Sequence, residues 1–199
     1  MIAVIDYAMG NLFNVDKALN YLGLPNLITR DPEEVEKCDS VILPGVGAFP
    51  DAKKTLDEYG LTGVLIEQAK KKPFLGICLG AQLLFERGEE VSECAGLGVI
   101  PGRVRKIDAP GLKIPHMGWN SLRAESACPL LDGVEDGSYV FFVHSYMMAE
   151  APEYVAAYTE YGGKIPAVVQ RGSVFGVQFH PEKSGGVGLR ILRNFGEIT

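Results

Sequence analysis

"PFLGICLGAQLLFERG", residues 73–88, is the stretch on which the reading of the fold turns. "PFLGI" is a short apolar run without polar alternation, the pattern of a strand buried on both faces. "GAQLLFERG" predicts a helix. Only Ile77, Cys78 and Leu79 separate Gly76 from Gly80, so the chain must bend sharply between the two elements. Side chains on either flank of such a bend would collide, and two glycines avoid this. A strand delivered straight into a helix is the repeating unit of a parallel sheet.

Toward the N-terminus the same alternation continues. "IAVID" (2–6) reads as a buried strand and "YAMGN" as a turn. "NLFNVDKALNYLG" places Leu12, Val15, Leu19 and Leu22 on one helical face, with Asn11 as its cap and Gly23 at its end. "NLIT" (26–29) and "SVILP" (40–44) are further strands. Between them "DPEEVEKC" reads as a helix with Asp31 as cap, Pro32 at its first position and acids in its first turn. "PDAKKTLDEYG" and "LTGVLIEQAKKK" read as helices. Beyond about residue 95 the style changes. "GRVRKI", "SYVFFVHSYMM", "EYVAAYTEYGG", "KIPAVVQRG" and "SVFGVQFH" are strand-like and joined by glycine-containing turns, while "GVGLRILRNFGEIT" reads as a closing helix. The expected architecture is α/β: one domain, 1–199, with an open, mainly parallel sheet covered by helices on both faces and an added antiparallel β portion.

Bulk composition agrees with that size and class. The chain has 199 residues, 47% hydrophobic and 22% charged, with a formal net charge of −6. This balance offers no attraction to nucleic acid or anionic membranes. "KKK" (70–72) and "RVRK" (103–106) read as solvated faces or element ends. The cysteines at 38, 78, 94 and 128 form no CxxC pair, which fits a reducing, cytoplasmic setting better than a disulfide framework. The start "MIAVIDYAMGN" lacks the positive region of a signal peptide, and no apolar stretch approaches the ~20 residues of a membrane helix.

Sites in such sheets lie at the carboxyl ends of strands. Two glycine-bearing strand ends stand out there, "PGVG" (44–47) and "GICLG" (76–80). The second has the spacing of a nucleophile elbow with Cys78 in the serine's place, and N–H groups at the following helix start favour a thiolate. A thiolate attacking an amide needs a base that later protonates the leaving amine. Of His116, His144 and His180, only His180 follows a strand, in "GVQFHPEKS". Glu182 stands two residues on, placed to orient the imidazole. Negative charge on the attacked oxygen would meet the N–H of Leu79 and the backbone of "PGVG", where Gly45 and Gly47 permit close approach. The histidines lack metal-ligand spacing, so no metal or cofactor is expected.

"PGVGAF", "GICLGAQLLFE" and "GVQFHPEKS", in this order, resemble the class I (triad) glutamine amidotransferases. "IDYAMGNL", "PHMGWN" (115–120) and "FVHSY" (142–146) make the chain similar to the glutaminase subunits of imidazole glycerol phosphate synthases. The resemblance runs from residue 2 to about 195. It departs at Ala8, where glycine is usual, and at "YMM" after His144 and Ser145, where an aromatic often follows the tyrosine. It implies that Cys78 attacks the glutamine side-chain amide, with His180 and Glu182 completing the triad. Val46 N–H would join Leu79 N–H as an oxyanion donor after a peptide reorientation. Gly45, Gly47, Gln82, Ser145 and Tyr146 would hold the substrate. Asn11, Asn14, Met117, Trp119 and Lys183 would meet a (β/α)8-barrel cyclase subunit, forming a heterodimer that receives the ammonia. The cyclase would make imidazole glycerol phosphate and aminoimidazole carboxamide ribotide in histidine biosynthesis, and its nucleotide would switch the glutaminase on.

Other readings stay open on the residues alone. The catalytic blocks also suit an amidotransferase subunit of anthranilate or pyridoxal phosphate synthesis. A cysteine elbow suits a non-hydrolytic stress or redox protein, and a binding subunit that has lost activity would keep the fold.

Overall fold

The computed structural model describes residues 1–198; Thr199, the last residue of the predicted closing helix and of the 1–199 domain, lies outside the described residues. In chain order the strands are β1 (Ile2–Ile5), β2 (Asn26–Thr29), β3 (Ser40–Gly45), β4 (Phe74–Cys78), β5 (Phe85–Gly88), β6 (Cys94–Ala95), β7 (Ile100–Lys106), β8 (His116–Ser121), β9 (Arg123–Ala124), β10 (Tyr139–His144), β11 (Tyr146–Ala149), β12 (Val155–Glu160), β13 (Lys164–Arg171) and β14 (Val174–Val177). The helices are α1 (Leu12–Tyr21), α2 (Pro32–Lys37), α3 (Phe49–Glu58), α4 (Leu61–Lys71), α5 (Leu79–Leu83) and α6 (Gly185–Glu197).

The main sheet runs β2-β1-β3-β4-β14-β13-β12-β9. Its first five strands are parallel, and the last three pair antiparallel. Both faces are buried, which explains the unbroken apolar runs. On β1, Ala3 and Ile5 pack toward Val35, Leu56 and Leu65 of α2, α3 and α4. Ile2 and Val4 pack toward Val15 and Leu19 of α1 and Ile191 and Phe195 of α6. Each Val, Leu, Ile or Phe among these contributes about 1.5–3 kcal/mol when fully withdrawn from water, and Ala3 less. Two smaller sheets, β10-β8 and β11-β7-β5-β6, lie apart from the main one. No described helix is long and apolar enough to cross a membrane.

Strand order positions the site. β3, β4 and β14 are adjacent and parallel, so their carboxyl ends lie side by side. Gly45 pairs directly with Cys78, and Val177 with Ile77, which carries the segment to His180 beside the elbow.

Several local features differ from the sequence-based expectations or add to them. The helix predicted over "GAQLLFERG" stops at Leu83, and β5 follows. The carbonyls that would extend it are taken by a distant segment: Leu97 N–H donates to Leu83 O, and Val99 and Ile100 N–H to Leu84 O. "SYVFFVHSYMM" is two strands, because the chain changes sheets at Ser145; β10 pairs with β8 and β11 with β7. "PHMGWN", which the sequence assigns to no element, contains most of β8, with Gly118 at φ +130°. Asn11 makes no side-chain cap on α1; its amide turns instead to Glu182. Asp31 does cap α2, accepting from Glu33 N–H. Ala8 sits at φ +64°, the left-handed region where an L side chain costs ~1–2 kcal/mol, which is the physical reason glycine suits that position.

Candidate active site

Cys78 ends β4 at φ +55° and ψ −110°, a backbone shape that costs ~1–3 kcal/mol and that only its surroundings hold in place. The flanking glycines are sterically required. A Cβ on Gly76 would lie 2.6 Å from the Ala81 Cα, and one on Gly80 would overlap the Leu43 carbonyl oxygen. Gly45 is equally confined: a Cβ there would lie 2.7 Å from Gly80 N and 2.5 Å from the Tyr7 hydroxyl. The elbow is thus wedged against β3, with no room to relax.

Cys78 faces a cleft of about 310 Å³ whose walls include Gly47, Gln82, His144, Tyr146 and His180. His180 Nδ1 lies 2.9 Å from Glu182 Oε1, and both side chains are essentially withdrawn from solvent. The His180 backbone is tied to β10 through His180 N–H to Phe141 O, and its carbonyl accepts from Ser184 Oγ. Glu182 Oε1 also accepts from Asn11 Nδ2 at 3.1 Å, and Asn11 Oδ1 accepts from Asn14 Nδ2 at 2.9 Å. Burial opposes a charged imidazole, but Cys78 and then Glu182 outweigh it and push His180 up to about 9. Glu182 thus stands at one ring nitrogen, while His180 Nε2 is buried without a hydrogen-bond partner in the cleft wall it shares with Cys78. A thiol and a carboxylate-backed imidazole in one cleft can attack a carbonyl carbon and return a proton to the leaving group.

The remaining predicted residues fall in three places. Leu79, Val46, Gly47, Gln82, Ser145 and Tyr146 line the cleft with Cys78. The Leu79 N–H opens α5, where no helical carbonyl reaches it. The Val46 N–H points elsewhere: it donates to Met9 O at 2.7 Å, and Gly47 beside it sits at φ +100°. Gly45 lies behind the elbow rather than in the cleft wall. Gln82 is buried; its Nε2 donates to Tyr146 O and to Gln178 Oε1, both at 3.0 Å, which leaves its oxygen for a bound molecule. Met117 and Trp119 are exposed, at 64% and 55%, as is Lys183, while Asn11 and Asn14 are half-buried beside Glu182.

Sequence reasoning missed Glu90, Gln178 and His144. Glu90 lines the cleft, and its Oε2 accepts from Phe49 N–H at the start of α3. Gln178 Nε2 lies 3.8 Å from Cys78 Sγ. Nothing in "RGEEVSE" or "GVQFH" marks these two, since their partners are 41 and 100 residues away. No group of three or more His, Cys, Asp or Glu side chains among the described residues is arranged to hold a metal ion. A larger cleft of about 680 Å³, with Arg105, Glu125, Met147 and Lys164 in its walls, is lined by no cysteine or histidine, so nucleophilic chemistry belongs to the smaller one.

Comparison with known proteins agrees with this geometry. The family described as glutamine amidotransferase class-I matches residues 3–198. The chain is 54% identical over 196 residues to the imidazole glycerol phosphate synthase subunit HisH of Bacillus cereus (strain G9842), covering 98% of this chain and 93% of that one. It is 53% identical, with the same coverage, to the subunit of that name from Bacillus thuringiensis (strain Al Hakam). Among solved structures, a glutamine amidotransferase superposes with a TM-score of 0.78 at 23% identity, covering 100% of this chain and 98% of that one. PurLQS from Thermotoga maritima superposes at 0.71 and 19% identity, covering 98% and 96%. At those identities the two structures speak for the fold alone.

Proposed function

The chain belongs to the class-I glutamine amidotransferase family, and on that premise we propose that it is the glutaminase subunit of an imidazole glycerol phosphate synthase, acting in the cytoplasm as one domain over 1–199. The observation that supports the chemistry is that Cys78 and His180 line one cleft, with the buried Glu182 carboxylate 2.9 Å behind His180 Nδ1.

Glutamine enters with its side-chain amide against Cys78. Gln82 Oε1 and the Glu90 carboxylate complement its ammonium group, and the 145–146 backbone meets its α-carboxylate. The thiolate sulfur bonds to the amide carbon, and the oxygen takes the negative charge beside Leu79 N–H. Val46 N–H becomes the second donor once it leaves Met9 O; one such donor is worth ~10²–10³ in rate. His180 gives its proton to the departing ammonia, leaving a glutamyl thioester. Water, deprotonated by His180, then releases glutamate.

Ammonia freed into bulk water would be protonated and wasted, so we place a (β/α)8-barrel cyclase over the cleft in a heterodimer. Met117, Trp119 and Lys183 are exposed for that contact, with Asn11 and Asn14 at its edge. The cyclase's nucleotide would favour the turned Val46 peptide.

The test is co-purification with a barrel cyclase, then glutamate production with and without its nucleotide substrate. Pairing and nucleotide-stimulated glutamate release are expected; glutamate release only with an anthranilate-type partner would overturn the assignment. Cys78→Ala should abolish glutamine use in the pair, whereas synthesis from added ammonia should continue, because the cyclase is untouched.

A further inference from the structure

Two histidines outside the triad form a chain whose proton positions follow from the heavy atoms alone. His144 Nδ1 lies 2.8 Å from the Tyr146 carbonyl oxygen, which can only accept, so Nδ1 carries a proton. His144 Nε2 lies 2.9 Å from His116 Nδ1. His116 Nε2 lies 3.2 Å from Asn120 Nδ2. The Asn120 amide is oriented independently, because Nδ2 donates to Glu160 O at 2.9 Å and Oδ1 accepts from Ser121 N–H at 2.8 Å. Asn120 therefore donates to His116 Nε2, which must be bare. His116 Nδ1–H in turn donates to His144 Nε2, which is bare as well. Every bond in the chain points the same way. An added proton on either ring would set two donors face to face. Burial agrees, holding both imidazoles down to about 4.

The two ends of the chain give it a task. At one end Tyr146 O receives His144 Nδ1–H together with Gln82 Nε2–H, so both of its lone pairs are used and the 146–147 peptide is pinned beside the cleft. At the other end His116 and Asn120 share β8 with Met117 and Trp119, which alternate onto the strand's opposite, exposed face. His116 is further clamped between the rings of Phe142 and Tyr161, with centroids 4.7 and 4.1 Å away. We infer that Asn120, His116 and His144 form a neutral, one-directional hydrogen-bond relay that positions the Tyr146 carbonyl and the Gln82 amide, making His144 and His116 positioning residues for the bound substrate. This rests on the glutamine reading only for the identity of that substrate.

The relay is tested first by its protons. Nitrogen-15 spectra of the histidine side chains in the full chain should show His116 and His144 neutral, with Nδ1 protonated and Nε2 bare, which is the rarer imidazole tautomer. A proton on Nε2 of either ring at neutral pH would overturn the relay. Its role is tested in the cyclase pair saturated with nucleotide. Asparagine can reproduce the Nδ1 donor and glutamine the Nε2 position. His144→Gln should raise the KM for glutamine about tenfold, the loss of roughly one hydrogen bond, with a smaller rise for His144→Asn. Equal KM values for two variants of matching melting temperature would reduce His144 to a packing residue and overturn its positioning role. Should the wild-type pair release no glutamate, the proposed function fails, and the nitrogen spectra still decide the relay.

Discussion

Replacing Glu182 by glutamine removes one negative charge from behind His180 and leaves the local shape intact. Both neighbours of Oε1, His180 Nδ1 and Asn11 Nδ2, are donors, so the glutamine oxygen takes that place and its NH2 takes the place of Oε2, which has no partner. Burial lowers His180, and Cys78 and Glu182 together lift it from 6.5 to about 9, a net gain of about 3 kcal/mol for the charged ring. Losing the carboxylate charge should lower the His180 pKa by at least about one unit, or ~1.4 kcal/mol. A folded pKa above the unfolded value stabilises fully below the unfolded pKa, and that stability is lost as pH rises through the folded one. The carboxylate's contribution is therefore complete below about 6.5 and gone above about 9. The melting temperature of Glu182→Gln should fall ~3–6 °C below wild type at acidic pH, and the gap should narrow through pH 9. The unpaired amide costs the same at every pH, so the pH dependence isolates the charge. Thermal melts from about pH 5.5 to about pH 10, with His180 titrated by NMR, measure both quantities. A gap that stays constant over that range, or an unmoved His180, would refute the electrostatic role. Glutamine turnover should drop ~10²–10⁴-fold, the usual weight of a disabled acid–base group.

Three further expectations follow from single positions. Gly80→Ala should cost more than about 3 kcal/mol, because its Cβ meets the Leu43 backbone; a urea midpoint close to wild type would show that the elbow yields. Trp119→Ala should leave the melting temperature nearly unchanged, as expected for a side chain 55% exposed, yet weaken cyclase binding ~30-fold or more by titration; normal pairing with early melting would return Trp119 to the core. Ala8→Gly should raise stability by ~0.5–1 kcal/mol, left-handed strain relieved less the added chain entropy, and a lower melting temperature would count against strain at that turn.

What the sequence by itself determined is local in origin. Apolar runs without alternation marked the parallel strands, and the two glycines around Cys78 marked a bend that only small residues survive. Short-range sterics and periodicity carry both signals, and the family likeness rested on such blocks. Tertiary structure decided everything that depends on strand order. β14 lies beside β4 across about a hundred residues, and only that adjacency brings His180 into the cleft that Cys78 lines. Helix α5 ends early because residues 97–100 claim its carbonyls, a competition invisible within "GAQLLFERG". The strand through Ser145 breaks because its halves find partners in different sheets. Asn11, read as a helix cap, turns to Glu182 from 171 positions away. A hydrogen-bonding side chain takes whichever partner the assembled fold sets within reach, and its sequence neighbours carry no trace of which one that is.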